Sequence, residues 1–276
     1  MLQAGKLAAM NPIAENALTR KLRMFTALSE REVRWLDAAT AEMKSVEAGQ
    51  ELIRPESVGN QVFVLQAGWA YRYKALPDGR RQVLNFVLPG DFMGLRAHFF
   101  GISDHSIVTL TDATVSALGA NEIVNLFRDY PKLAAAITWS AAREEAMLAE
   151  HIVRLGRRNA LERMAHLLLE LLSRLKAVDV VEGPSYAFPI TQQLLADTLG
   201  LSVVHVNRTL RKLRLRDLVH IEGGRIFLRD IAELEHIAAF EGGHIAGKRT
   251  PPGTEKQLAD IEVMRSARKR ARGHRT

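Results

Sequence analysis

The stretch PITQQLLADTLGLSVVHVNRTLRKLR, residues 189–214, decides how the C-terminal part of the chain folds. Its polar and apolar spacing predicts two short helices, and Ser202 is placed to cap the second of them. Gly200 separates the helices and supplies the turn, because a positive φ costs glycine no steric strain. Ala196 is small where the helices cross, and Val206 fills the space beneath. This arrangement predicts a helix-turn-helix, whose second helix enters the major groove of DNA.

The exposed face of the second helix carries the side chains that we expect to contact DNA. Arg208 is placed to donate two hydrogen bonds to a guanine edge, and His205 or Asn207 to contact neighbouring bases. Hydroxyl and cationic groups nearby are better placed for phosphates, namely Thr191, Ser202, Arg211 and Lys212. The predicted DNA-binding residues are therefore Thr191, Gln192, Ser202, Val203, His205, Asn207, Arg208, Arg211 and Lys212.

The segments on either side of this motif give further predictions. Two short β-type runs flank Gly223 and Gly224, a pair typical of a hairpin turn, so we expect a wing after the second helix. Asp230 then caps a last helix, predicted from Ile231 to Phe240. Upstream, residues 178–189 are predicted to be a linker with a turn.

The N-terminal half begins with helical spacing and then changes to strands. Apolar residues recur at helical intervals over residues 20–43, where Ser29 and Glu32 have the spacing of a capping box. From residue 45 to about 117 the chain consists of short β-type runs separated by turns, including a Pro-Asp-Gly hairpin signal at 77–79. Closely spaced short strands predict a small antiparallel barrel or sandwich.

Helical spacing returns at Asn121 and continues to Lys176. Within it, residues repeat in alternating steps of three and four, which is the spacing of a coiled-coil dimer seam. Glu144 and His151 interrupt the apolar pattern and would fix its register, and protonation of His151 beside Glu144 is a hypothetical way to strengthen the dimer. The alternative is a helix packed on its own domain. The predicted seam comprises Ala134, Ile137, Ala141, Glu144, Leu148, His151 and Leu155.

This order of parts resembles the Crp/Fnr family of bacterial transcription regulators. The resemblance implies an α+β fold, with an N-terminal antiparallel, jelly-roll-like β-roll, a long dimerisation helix and a C-terminal winged helix-turn-helix. It places a cyclic-nucleotide-binding-like sensor domain at 21–130, the dimerisation helix at 131–156 and the DNA-binding domain at 157–241. It assigns the base-reading arginine to Arg208, and it implies a homodimer with double-stranded DNA and RNA polymerase as partners. Beyond the resemblance, the basic residues after a Gly- and Pro-containing segment predict a basic flexible tail at 243–276.

The run Pro-Gly-Asp-Phe-Met-Gly at 89–94 resembles the entrance to the family's phosphate-binding cassette. Nucleotide-binding members continue with Glu-Leu, where this chain has Leu95 and Arg96, and their Arg-Ser pair falls on His105 and Ser106. An imidazole binds phosphate less well than a guanidinium, so we do not expect cyclic AMP to bind through the usual contacts unless Arg96 compensates. The candidate effector residues are Gly94, Leu95, Arg96, His105 and Ser106.

The composition excludes several kinds of site. The 276 residues include no cysteine, which rules out disulfides, a thiolate nucleophile and the iron–sulfur cluster of the family's oxygen-sensing branch. No cofactor is evident. No run of about 18 uncharged apolar residues and no secretory signal is present, so we expect a cytoplasmic protein without a membrane span. Of the formal charge of +7, residues 243–276 contribute +6, from nine basic and three acidic side chains.

Two other functions compete with a sequence-specific regulator. The basic tail favours an architectural protein that binds DNA phosphates without selectivity. A cupin-type enzyme would need a His-x-His pair, a carboxylate and a further histidine around a metal. The β-rich region contains only His98 and His105, seven residues apart, so no enzymatic activity is expected.

Overall fold

The computed structural model describes residues 16–57 and 61–242. The described chain opens with two short helices, α1 (Ala17–Arg23) and α2 (Glu30–Ala39). The helical spacing seen over residues 20–43 is thus divided between two helices, and the predicted capping box starts the second. Ser29 N–H donates to Glu32 Oε2 at 2.7 Å, and the Ser29 hydroxyl accepts from the Glu32 N–H.

Eight strands and one short helix of the described chain follow. They are β1 (Met43–Val46), β2 (Glu51–Ile53), β3 (Gln61–Ala67), β4 (Ala70–Ala75), β5 (Arg81–Val87), β6 (Phe92–Met93), α3 (Leu95–Phe100), β7 (Ser106–Thr109) and β8 (Ala113–Gly119). Two antiparallel four-stranded sheets result, with orders β1-β8-β3-β6 and β2-β7-β4-β5. Apolar residues from both sheets, such as Leu65, Val87, Ile107 and Val115, form one buried cluster. The predicted jelly-roll-like β-roll is confirmed.

Three helices follow this roll along the chain. They are α4 (Ala120–Asp129), α5 (Pro131–Arg157) and α6 (Ala160–Lys176). The predicted long helix at 131–156 corresponds to α5. It starts with a proline, which the first turn of a helix accommodates without losing a hydrogen bond. Asn159 caps α6, because its side-chain oxygen accepts from the backbone N–H groups of Leu161 and Glu162. The break between α5 and α6 therefore has a local cause in the sequence.

The C-terminal domain is a winged helix-turn-helix. After α6 the elements are β9 (Ser185–Ala187), α7 (Gln192–Leu199), α8 (Val203–Leu215), β10 (Val219–Glu222), β11 (Arg225–Leu228) and α9 (Ile231–Ala238). Gly223 and Gly224 both adopt positive φ between β10 and β11, so the predicted wing is present. The prediction of a mere linker at 178–189 is wrong, because β9 pairs with β11 there and completes a three-stranded sheet.

The two domains share a hydrophobic core and a buried charge network. Trp69 of the β-roll stacks on Tyr186 of β9 with ring centroids 6.4 Å apart. Asp91, in the turn before β6, accepts from Lys21 Nζ of α1 at 2.7 Å and from Arg174 Nη2 of α6 at 2.6 Å. Arg174 Nη2 also donates to the backbone oxygen of Phe86 at 2.8 Å. These contacts hold α6, and with it the helix-turn-helix, against the roll.

Candidate DNA interface and ligand cavity

Local hydrogen bonds position the two helices of the helix-turn-helix. Thr191 Oγ1 accepts from the N–H of Leu194 at 3.1 Å at the start of α7, and Ser202 Oγ accepts from the N–H of His205 at 3.2 Å at the start of α8. Gly200 lies between them with φ 62° and ψ 41°, a left-handed conformation that other residues adopt at a steric cost. The predicted caps and turn therefore all form.

The buried side of α8 leaves a cationic face exposed. Val206, Thr209, Leu210 and Leu213 are buried against the rest of the domain. The exposed members of the predicted DNA-binding set are Thr191, Gln192, Ser202, His205, Asn207, Arg208, Arg211 and Lys212. No other residue of the described chain forms an ion pair with the three cations of this group, which leaves them available to an anionic partner.

Two neighbouring valines at the start of α8 have exposures that differ from the sequence prediction. Val203, which we placed in the DNA-binding set, is partly buried and packs on the hydrophobic core of the domain. Val204, which we did not select, is 69% exposed. The exposure of Val204 could have been predicted from the helical period. Val204 lies four residues before Arg208 and hence on the same side of the helix.

The β-roll contacts the helix-turn-helix directly. Arg81 Nε of β5 donates to Asp197 Oδ2 of α7 at 2.7 Å, and its guanidinium lies over the ring of Tyr71, 5.4 Å from the centroid. Gln82 Nε2 of β5 donates to the backbone oxygen of Thr198 at 3.3 Å. These bonds fix the orientation of α7 relative to the roll in this conformation.

A cavity of about 500 Å³ lies between the β-roll and α5. Four of the five candidate effector residues line it, namely Gly94, Leu95, Arg96 and His105. Ser106 is buried on β7 and is not part of the lining. Most of the remaining wall is apolar or belongs to α5, and it includes Phe92, Phe99, Phe100, Ser140, Ala141, Glu144, Glu145 and Leu148.

The polar groups in this cavity differ from a phosphate site. His105 is buried and its Nδ1 lies 2.8 Å from Asp104 Oδ1, while burial and then the nearby Arg72 guanidinium lower its pKa. A neutral imidazole results. Arg72, which sequence analysis did not select, is also buried and donates from Nη1 to Glu144 Oε2 at 3.4 Å. No described group is hydrogen-bonded to Arg72 Nε, His105 Nε2 or Ser140 Oγ.

The burial of α5 corrects part of the predicted dimer seam. Ile137 and His151 are buried within their own chain, and Leu155 lies against the turn at Gly200. Glu144 is used by Arg72, so these positions face the roll and the helix-turn-helix. The exposed residues of α5 still include Ala141 of the predicted seam, together with Val153. Six other exposed residues follow the same three-and-four spacing, one residue further along. This exposed stripe of α5 comprises Thr138, Ala142, Glu145, Ala149, Ile152 and Gly156.

The pH hypothesis for His151 is also corrected. His151 contacts Arg154, whose Nη2 lies 2.5 Å from its Nδ1, rather than Glu144. Burial and then Arg154 lower the pKa of His151 to about 4. The side chain is therefore neutral near pH 7, and its protonation beside Glu144 is not a means of strengthening a dimer.

The described residues were also compared with the sequence predictions about membrane spans, metal sites and the basic tail. None of their helices combines the length and apolar character that a bilayer crossing requires. Over residues 16–57 and 61–242, no group of three or more His, Asp or Glu side chains is arranged to hold a metal ion. The basic tail at 243–276 lies outside the described residues.

Comparison with known proteins agrees with both halves of this architecture. Residues 43–130 match the family model of the cyclic nucleotide-binding domain, and residues 162–237 match that of the Crp-like helix-turn-helix domain. The nitrogen fixation regulation protein FixK of Bradyrhizobium diazoefficiens is 33% identical over 192 residues, which cover 70% of this chain and 80% of the relative. The transcriptional activatory protein AadR of Rhodopseudomonas palustris is 31% identical, covering 69% and 78% respectively.

A solved structure has the same arrangement of domains. The structure of FixK2 from Bradyrhizobium japonicum superposes with a TM-score of 0.66 and 26% identity, covering 72% of this chain and 98% of that one. The matched β-roll, the long helix, the winged helix-turn-helix and the sequence relatives all indicate one family. This chain belongs to the Crp/Fnr family of transcription regulators, whose helix-turn-helix binds DNA.

Proposed function

We propose that this regulator binds a near-palindromic operator as a homodimer, with α8 of each protomer in the major groove. The observation that carries the proposal is the exposed face of α8, where Arg208, Arg211 and Lys212 lie on a rigid, capped helix with no described acidic partner. Cations in this position neutralise phosphates, and an arginine near the groove floor contacts guanine through two hydrogen bonds. The helix is then both an electrostatic anchor and a base-contacting surface.

The exposed stripe of α5 supports the homodimer. Its six positions follow coiled-coil spacing, and all six are exposed in the single chain. Packing two copies along this stripe would bring two α8 helices to the same side of the dimer. A two-fold regulator of this kind needs them about 34–36 Å apart, one turn of B-DNA.

The test is selection from a random duplex DNA library by the full chain at physiological salt, with no small molecule added. Enrichment of an inverted repeat would support a sequence-specific dimer that is active without an effector. Nonspecific DNA binding with no enriched motif would contradict operator recognition by the unliganded chain.

We also propose that the cavity beside α5 takes a small ligand other than a cyclic nucleotide. Its walls are mostly apolar, Leu95 replaces a carboxylate for the ribose, and neutral His105 replaces a phosphate-binding guanidinium. Calorimetric titration with cyclic AMP should therefore give no saturable heat up to about 1 mM, a free energy of roughly −4 kcal/mol. Saturation at micromolar concentration would contradict this proposal.

RNA polymerase is the protein partner that this proposal implies at a promoter. Activation or repression then depends on where the operator lies relative to the promoter, which the chain does not encode.

The basic tail favours a second candidate function, an architectural protein that binds DNA without selectivity. A chain ending at Glu241 separates the two functions, because residues 243–276 carry +6 of the formal charge of +7. Retained selectivity with a shallower dependence of affinity on salt would support recognition by α8. Loss of all selectivity would support the architectural function instead.

A further inference from the structure

The outward face of α8 has an apolar side chain at its centre. Successive residues of an α-helix are rotated by about 100°, so the buried Val206, Leu210 and Leu213 define the inner side of α8. Val204 lies about 150° from the middle of that side and Arg208 about 40° from Val204. Val204 is 69% exposed and therefore belongs to the outward face, beside the arginine assigned to base contact.

The position of Val204 along the helix matters more than its exposure, because single exposed apolar residues are common on protein surfaces. The N-terminal residues of a recognition helix are the ones that contact base edges. Leu215 lies on the same outward ridge and is 76% exposed, but it follows Val204 by eleven residues, about 16 Å along the axis. Val204 is thus at the groove end of the ridge and Leu215 at the far end.

We propose that Val204 contacts the 5-methyl group of a thymine in each operator half-site, next to the base pair that Arg208 contacts. This inference rests on the proposed function of α8. Isopropyl groups neither donate nor accept hydrogen bonds, and the thymine methyl is the one apolar group that base edges present in the major groove. A cytosine or adenine amino group against Val204 would lose its water without gaining a partner.

The helix geometry limits where this thymine lies. Arg208 follows Val204 by four positions, so the two residues are about 6 Å apart along the helix axis. Successive base pairs are about 3.4 Å apart along the duplex. The thymine is therefore within about two base pairs of the guanine contacted by Arg208.

The first experiment compares library selection by the full wild-type chain, by Val204→Ala and by Leu215→Ala. We expect the wild type and Leu215→Ala to enrich the same repeat. Val204→Ala should enrich that repeat with relaxed choice at one thymine per half-site. The alanine variant keeps a good helix former at an exposed position, so its fold and its phosphate contacts are preserved.

The second experiment removes only the methyl group, by placing deoxyuridine at that thymine. Burial of one such group is worth about 0.8 kcal/mol, so the wild type should bind about fourfold more weakly per substituted half-site. Val204→Ala should show little change, and deoxyuridine at other thymines of the operator is the control. An equal loss in both proteins would overturn the inference, because another group would then contact the methyl.

The outcomes separate this inference from the proposed function. If the wild type enriches no repeat, operator recognition by α8 fails and the inference fails with it. If it enriches a repeat that Val204→Ala enriches with unchanged preference at every position, only the inference fails.

Discussion

Arg208 and Lys212 are both exposed cations of α8, but they lie at different distances from its N-terminus. Arg208 is one turn after Val204, whereas Lys212 is a turn further and flanks the outward ridge. We expect Arg208→Ala to weaken binding to the selected operator by about 1–3 kcal/mol and to relax the choice at one base pair per half-site. Lys212→Ala should weaken binding to all sequences alike and lower the salt slope by about one. Fluorescence anisotropy on operator and scrambled duplexes at several salt concentrations checks both, and identical behaviour of the two variants would contradict the assignment.

Arg174 lies buried between the β-roll and the C-terminal domain. It donates to Asp91 and to the Phe86 carbonyl, so its removal leaves a buried carboxylate with Lys21 as its remaining cation. Loss of one partner from a buried ion pair costs about 3–5 kcal/mol. We expect Arg174→Ala to lower the free energy of unfolding in urea by that amount. The control is Arg34→Ala, which breaks an exposed pair with Glu30 and should cost at most about 0.5 kcal/mol.

Among the secondary-structure elements, α5 allows the most direct test of how two copies of the chain form a dimer. If the exposed stripe is the dimer interface, Ile152→Glu places two carboxylates in it and removes two isoleucines. Each buried isoleucine is worth about 1.5–3 kcal/mol, so the dimer dissociation constant should rise roughly 10²- to 10⁴-fold. Analytical ultracentrifugation measures this directly. Val124→Glu, at an exposed valine of α4, should leave the dimer intact, and an unchanged dimer for Ile152→Glu would place the interface elsewhere.

Local sequence features predict the helix-turn-helix, whereas the surface that covers α5 depends on the tertiary structure. Caps and turns depend on neighbouring residues only. The helix-turn-helix can therefore be predicted from Thr191, Gly200 and Ser202 without knowledge of the tertiary structure. A coiled-coil repeat establishes that α5 has an apolar side, but it does not tell whether the chain's own β-roll or a second chain covers it. The predicted seam therefore differs by one residue from the exposed stripe. Burial of Arg72 had no signal in the sequence, because a strand residue of its type is normally exposed.

At the scale of the whole molecule, the contact between domains limits how far the helix-turn-helix can move independently. The hydrophobic core that contains Trp69 and Phe86 of the roll continues into α6, β9 and α7. Arg81 and Asp197 add a polar contact on the same side of the roll. Any ligand that moves α8 must therefore act through these contacts, and it shifts the position of α8 only by its difference in affinity for the two arrangements.

The histidines beside this interface predict how overall stability depends on pH. Arg154 of α5 lies close to both His151 and His166, with Nη1 3.3 Å from His166 Nδ1, and Glu170 accepts from Arg154 Nη1 at 2.7 Å. Burial and then Arg154 lower the pKa of each histidine to about 4, against about 6.5 in an unfolded chain. Between these two values the unfolded chain binds protons that the folded chain does not bind. The free energy of unfolding should therefore fall as the pH falls from about 6.5 towards 4, by on the order of a few kcal/mol in total.

Urea unfolding of the full chain at intervals between pH 4.5 and 7.5 tests this directly. Replacing both histidines by asparagine, whose side-chain oxygen can accept from Arg154 in place of Nδ1, should flatten the dependence across that range. His236→Asn, at an exposed position of α9, should leave it unchanged. A wild-type unfolding free energy that is constant from pH 5 to pH 7 would mean that the two rings take up protons in the folded chain. The buried charges between α5 and α6 would then have to rearrange, because an imidazolium beside Arg154 places two cations in one buried site.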